Sequence, residues 1–368
     1  MSKNYYKLHN NFKKLLKSAK KMSKKEKDNT ISKEKNSAQV LFMQNVKAAL
    51  PANISIVEEL SDLLGVSQDS AYRRIRGETV LSIEEITLLC DKYKISFDTF
   101  IHTTKGNTVN FSYNPLKGDP ESFHDYLIRI LADLKKLSSF PNSQIIYSAV
   151  DIPVFHHFNF PVLSAFKTFY WCRSILNIPQ LQTTHFNINA LDKKISDTAK
   201  EIYQEYGKIN SVEIWSEETV NSTLRQIEFF WDSGAFNKKE DALQVCEEVK
   251  QMFENVKRMA SENSKIAAGK RSTKYENNFS LYSSEVTIGN NCILTTVGEN
   301  YKAAYLSYHT FNTMLTTNAS FCNETENWLK NIMKKSIMIS GVGEKQRHQF
   351  FRKTDEELEK LTTKISSS

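Results

Sequence analysis

The sequence predicts a multidomain chain: an all-α domain near the N-terminus, then a larger α/β (α+β) domain with a mixed sheet and several long helices. Three observations carry this. From Ser55 to Ile101, capping residues, a turn glycine and helix-period apolar positions agree with one another. Residues 103–120 hold two glycines, two prolines and many small polar residues, which marks 103–118 as a linker. From Asp119 onward, helix-period stretches alternate with short apolar runs rich in β-formers. A length of 368 residues fits two to three domains.

Residues 1–36 form a basic arm, expected to be disordered. They hold twelve lysines, no arginine and three acids, a net of +9, while the whole chain is +7. Everything after residue 36 therefore sums to −2, and the chain is not basic throughout. Lysine without arginine suits phosphate attraction better than bidentate base reading. A solvated leader with no binding role is the alternative.

The all-α domain spans 37–102. A first helix is expected over Ala38–Leu50, stopped at Pro51. Ser55 and Glu58 have capping-box spacing, and Ile56, Val57, Leu60, Leu63 and Leu64 follow at helical period. Gly65 suits the left-handed residue that ends this helix. Val66 is placed to plug the space between the two helices, and Ser67 is a good N-cap for a helix over residues 68–77. On that helix Ala71 and Ile75 share one face. Asp69, Tyr72, Arg73 and Arg76 share the opposite one. Ser82 and Glu85 repeat the capping-box spacing, with Ile83, Ile86, Leu89, Cys90 and Tyr93 as the next apolar stripe.

The Gly65-Val66-Ser67 turn, the following short helix, the Arg76-Gly77 pair that closes it and the apolar tail up to Ile101 resemble the helix-turn-helix of the lambda-repressor and Cro (XRE-like) class. The resemblance covers about 36–101. It implies two further helices packed behind a reading helix, and a bacterial DNA-binding regulator. By family position Ser67 and Gln68 lie at the helix start, where phosphates and outer bases are met, and Asp69, Tyr72 and Arg73 face the groove; Ser70, Arg74 and Arg76 complete the expected DNA-binding set. Arg74 falls where the family often buries an apolar residue. Either Arg73 or Arg74 is then the base reader. Five Lys/Arg stand against nine Asp/Glu over 55–101, with three of the five at Arg73, Arg74 and Arg76.

In the second domain, 119–368, Pro120 opens a helix with Phe123, Leu127, Ile130, Leu131 and Leu134 on one face. Buried strands are expected at Gln144–Val150 and 211–215, with helices from Pro161, over 190–206, Glu217–Trp231 and Lys238–Ser261. Residues 262–278 read as a polar loop. Runs at 279–289, 291–298 and 301–309 read as an antiparallel meander, followed by helices at Asn323–Lys335 and after Gly343. That meander and the 316–336 helix are similar to the phospholipase-D-like sensor halves found behind DNA-binding domains. The resemblance implies a sensor fold without catalysis, because the fold's His-x-Lys is missing at His156-His157-Phe158 and His309-Thr310-Phe311.

Other chemistry is thinly signalled. Asp151, His156 and His157 form a candidate acid/base or metal cluster, though adjacent histidines on a regular element point to different sides. The aromatic set around Phe155–Trp171 reads as core, with some pocket wall. Five scattered cysteines form no Cys-x-x-Cys pair, and no phosphate loop, Gly-x-Ser-x-Gly, His-Glu-x-x-His or EF-hand pattern is present. No apolar run approaches membrane-spanning length, and no apolar segment follows the charged N-terminus. The expectation is a cytoplasmic, nucleoid-associated, sequence-specific regulator: no enzyme, metal or cofactor, with double-stranded DNA as partner, a homodimer, and a C-terminal domain that dimerises, senses a small-molecule effector or contacts a partner. The alternative is an enzyme or phage-defence effector whose helix-turn-helix only docks it on DNA or a protein.

Overall fold

The computed structural model describes residues 38–50, 54–93, 95, 109–188, 192–266, 277–298 and 301–368. The basic arm, the helix stop at Pro51, the expected fifth helix before Ile101 and most of the 262–278 loop lie outside these residues. The chain divides into two compact units, 1–110 and 111–368.

In the first unit, α1 (Ala38–Ala49), α2 (Ile56–Leu64), α3 (Gln68–Ile75) and α4 (Ile83–Tyr93) enclose a small core of Phe42, Met43, Val46, Leu60, Ala71, Leu81 and Leu89. Gly65 caps α2 in the left-handed region at φ 64°, and its N–H donates to the Ser61 carbonyl. Ser67 caps α3 by accepting from the Ser70 N–H. Ser82 and Glu85 form a reciprocal box: the Ser82 N–H donates to Glu85 at 2.9 Å and the Glu85 N–H to Ser82 Oγ at 3.2 Å. The box expected at Ser55 does not form. Ser55 holds the N-cap backbone conformation, but its side chain makes no capping bond.

The second unit is built on an eight-stranded mixed sheet. Its strands are β1 (Ser112–Tyr113), β2 (Ser143–Ala149), β3 (Asn210–Trp215), β4 (Phe279–Ser283), β5 (Cys292–Val297), β6 (Tyr301–Tyr308), β7 (Asn312–Thr316) and β8 (Ile337–Met338). The spatial order is β1-β7-β6-β5-β2-β3-β4-β8. β2, β3 and β4 run parallel, and the other pairings are antiparallel. One expectation is corrected here. The meander is β5-β6-β7, not 279–309, because β4 pairs with β3 and β8. The strands and the helix within 316–336 follow one another along the chain as expected, and only the pairing of β4 differs. Within the expected 103–118 linker, Ser112 and Tyr113 pair with Leu315 and Met314 of β7, which agrees with a short strand expected at Val109–Tyr113.

The helices fall on the two faces of this sheet. One face carries α5 (Pro120–Ser138), α6 (Val154–His157), α7 (Pro161–Tyr170), α8 (Lys193–Lys208), α9 (Glu217–Asp232), α10 (Lys239–Glu262) and α12 (Glu344–Ser367), packed in one large aromatic core. The other carries α11 (Ala319–Lys334) over Ile146, Ile214, Leu294 and Ala304. Alternation along β2 shows the division: Ile145, Tyr147 and Ala149 join the first core, and Ile146 the second.

Candidate nucleic-acid interface

The α3 side chains separate into an open set and a bound set. Ser67, Gln68, Asp69, Tyr72, Arg73 and Arg76 are exposed, and Ser70 is half-buried. Arg73 pairs with Asp69 one turn earlier at 3.1 Å, and Arg76 with Glu78 at 3.0 Å. Arg76 also lies over the Tyr72 ring, 5.6 Å from its centroid. Each of these ion pairs is more than half exposed on its arginine, so each holds it by only about 0.2–1 kcal/mol. A phosphate or a guanine edge can displace such partners.

Arg74 differs. Its guanidinium is turned inward and pairs with Glu85 at 2.9 Å, both side chains mostly buried, and it also donates to Ser70 Oγ at 2.5 Å and the Ser70 carbonyl at 3.3 Å. Burial disfavours the charged form of Glu85, but the Arg74 guanidinium and the Ser82 N–H outweigh it and hold the carboxyl below the ordinary carboxylate value. This is a correction to the sequence-predicted set. Arg74 occupies the position of a buried apolar residue and joins α3 to α4, which leaves Arg73 as the open arginine of the pair. Ile75 does pack on the core, at partial burial.

Gln39 and Glu85 were not legible as part of this arrangement. The signal for Glu85 was present: an arginine in an apolar stripe needs a buried carboxylate. No comparable signal marked Gln39, whose side-chain amide reaches the end of α3 from α1.

In the second unit, the Asp151–His156–His157 group is split between two networks. Asp151, just past the carboxyl end of β2, pairs with the fully buried Lys167 at 3.1 Å and accepts from Ser222 at 2.5 Å. Lys167 also donates to Gln226 at 2.7 Å. Burial pulls the Lys167 ammonium below its ordinary value, and Asp151 opposes that shift. His156 instead bonds Glu213 of β3 at 2.9 Å; Glu213 also accepts from Trp215 Nε1 at 2.8 Å and from the Tyr206 hydroxyl. His157 is buried with both ring nitrogens unpartnered, and burial pushes it far toward the neutral form. Among the described residues, no group of three or more His, Cys, Asp or Glu side chains is arranged to hold a metal ion. A groove of about 670 Å³ lies at the carboxyl ends of β3 and β4, lined by Ser216, Glu217, Ser283, Ser284, Phe350 and Lys353 among others.

A family model described as helix-turn-helix matches residues 47–100. The chain therefore carries a helix-turn-helix domain of the general kind found in DNA-binding transcriptional regulators, and the match spans α2, α3 and α4. One solved structure to which the chain is similar is Bacillus thuringiensis PlcR in complex with the peptide PapR7 and DNA. Identity is 12%, with 61% of this chain and 80% of that chain covered and a TM-score of 0.16, a likeness too slight to inform fold or function. No curated protein matches. Among the described residues, no helix is long and apolar enough to cross a membrane.

Proposed function

We propose that the chain is a sequence-specific transcriptional regulator that reads the DNA major groove with α3. The observation that carries this is the open face of α3, where Gln68, Asp69, Tyr72, Arg73 and Arg76 are all exposed on a helix anchored from behind by Ala71. These side chains suit base edges: arginine for guanine, glutamine for adenine, aspartate as an acceptor for the cytosine amino group. Ser67, at the helix N-terminus, suits a phosphate.

One such helix covers a half-site, so the chain acts as a homodimer with two reading helices about one helical turn, ~34 Å, apart. The second unit supplies dimerisation, effector sensing or partner contact. The protein is not an enzyme in this reading. It works in the cytoplasm, on the nucleoid.

The lysine-rich segment 1–36 adds sequence-independent attraction to phosphates. Titration of the full chain and of a chain lacking 1–36 against duplex DNA, at several salt concentrations, tests the division of labour. Loss of the segment flattens the salt dependence equally on all sequences and leaves sequence preference intact. Loss of all preference on its removal would place recognition in the segment and not in α3.

A further inference from the structure

The apolar hold on α3 is thin. Ala71 is its fully buried residue and Ile75 packs at partial burial, so hydrophobic contact alone weakly determines how the helix is rotated about its axis. Rotation matters because successive side chains on a helix lie about 100° apart. A modest turn would carry Tyr72 and Arg73 off the groove.

A polar clamp supplies what packing does not. The Gln39 side chain on α1 donates from Nε2 to the Arg74 carbonyl at 2.8 Å and to the Thr79 carbonyl at 2.7 Å. Its Oε1 accepts from the Leu81 N–H at 3.1 Å. Both amide protons and the oxygen are thus engaged, and a flipped amide would set its oxygen against two carbonyls. The Arg74 carbonyl, in the last turn of α3, also accepts from the Gly77 N–H at 3.1 Å, so Gln39 adds a second donor from another helix and ties the end of α3 to α1. On the other side of the same residue, the Arg74 guanidinium is held by Glu85 of α4. Arg74 is therefore gripped through its backbone from α1 and through its side chain from α4.

We infer that Gln39 is a positioning residue for DNA recognition: it sets the pose of α3 from behind and acts through Arg73 without itself facing the open side of α3. This rests on α3 being the reading helix. Glutamine is suited to the task because a single planar group offers two donors and one acceptor. Methionine has a similar length and flexibility but none of the donors, and asparagine keeps the amide one methylene short.

The test is a double-mutant cycle on the full chain. Wild type, Gln39→Met, Arg73→Ala and the double variant are titrated against a duplex selected by the wild-type chain from a randomised pool, and against a random duplex of the same length. Gln39→Met should bind the random duplex like wild type and the selected one on the order of tenfold more weakly. Arg73→Ala should weaken the wild-type chain but add little to Gln39→Met, because its placement is already lost. Residues that neither touch nor act through each other give additive effects. Additive losses, or wild-type selectivity in Gln39→Met, would overturn the inference while leaving α3 as the reader. If Gln39→Met loses helical circular dichroism, the same cycle on Gln39→Asn decides between those outcomes. If the wild-type chain selects no sequence at all, the proposed function falls, and the positioning role with it.

Discussion

Arg74 and Glu85 meet at 2.9 Å with only 15% and 16% of their side chains exposed, so the end of α3 is ion-paired to the first turn of α4. Removing one partner strands the other. Arg74→Ala should lower the stability of the first unit by about 1–3 kcal/mol, the usual cost of leaving a partly buried polar group unpaired. Arg74→Ala with Glu85→Ala should cost less than the two single changes combined. Chemical unfolding followed by circular dichroism measures both. A wild-type transition in Arg74→Ala would show that the pair contributes nothing.

The same pair makes stability depend on acid. The Glu85 carboxyl lies below its ordinary value of 4.5 in the folded chain, so above that pH the folded state binds no more protons than the unfolded one and the full stabilisation is present. As pH falls through the folded value, the unfolded chain takes up the proton first and the stabilisation is lost. Glu59 adds in the same direction, held low by Lys92 and Tyr93. Unfolding of the first unit should ease from about pH 5 downward, and Glu85→Gln should flatten that dependence. An unchanged acid slope in Glu85→Gln would contradict the assignment.

Glu213 has the corresponding role in the second unit. It is fully buried on β3, and His156, Tyr206 and Trp215 all donate to it. Lys265, also buried, donates to the carbonyls of Tyr206 and Ile209 nearby. Glu213→Leu strands three buried donors, and should destabilise this unit by about 3–5 kcal/mol. Glu213→Gln keeps an acceptor and should cost less. Near-ultraviolet circular dichroism is the readout, because Trp215 and Tyr206 lie in the network. Equal melting of the two variants would mean that the hydrogen bonds do not matter.

Local chemistry was legible in the sequence and distant pairing was not. Gly65, Ser67 and the Ser82–Glu85 box act within a few residues, and each stands where spacing placed it. Ser55 has the same spacing without the bond, so spacing gives the position of a cap and not its geometry. The β4 strand was assigned to the wrong neighbour because its partner, β3, lies across two long helices, and hydropathy along 279–289 carries no record of that crossover. β8, only two residues long, is too short to stand out. The buried charges did leave a trace: Lys167 sits among Phe166, Thr168 and Phe169, and Glu213 between Val212 and Ile214. A single charge inside an apolar run predicts a buried partner, but not which one. On α3 the choice between Arg73 and Arg74 depended on helix rotation, which is set by Gln39 and Glu85 from outside the motif.

Selection from a randomised duplex pool by the full chain, repeated with Arg73→Ala, tests the central claim most directly. The expected product is an enriched two-fold symmetric site with half-sites about one helical turn apart. Arg73→Ala should then relax preference at one base position per half-site, at a cost of about 1–3 kcal/mol. Recovery of no preferred sequence by the wild-type chain, or of an unchanged site by Arg73→Ala, would contradict it.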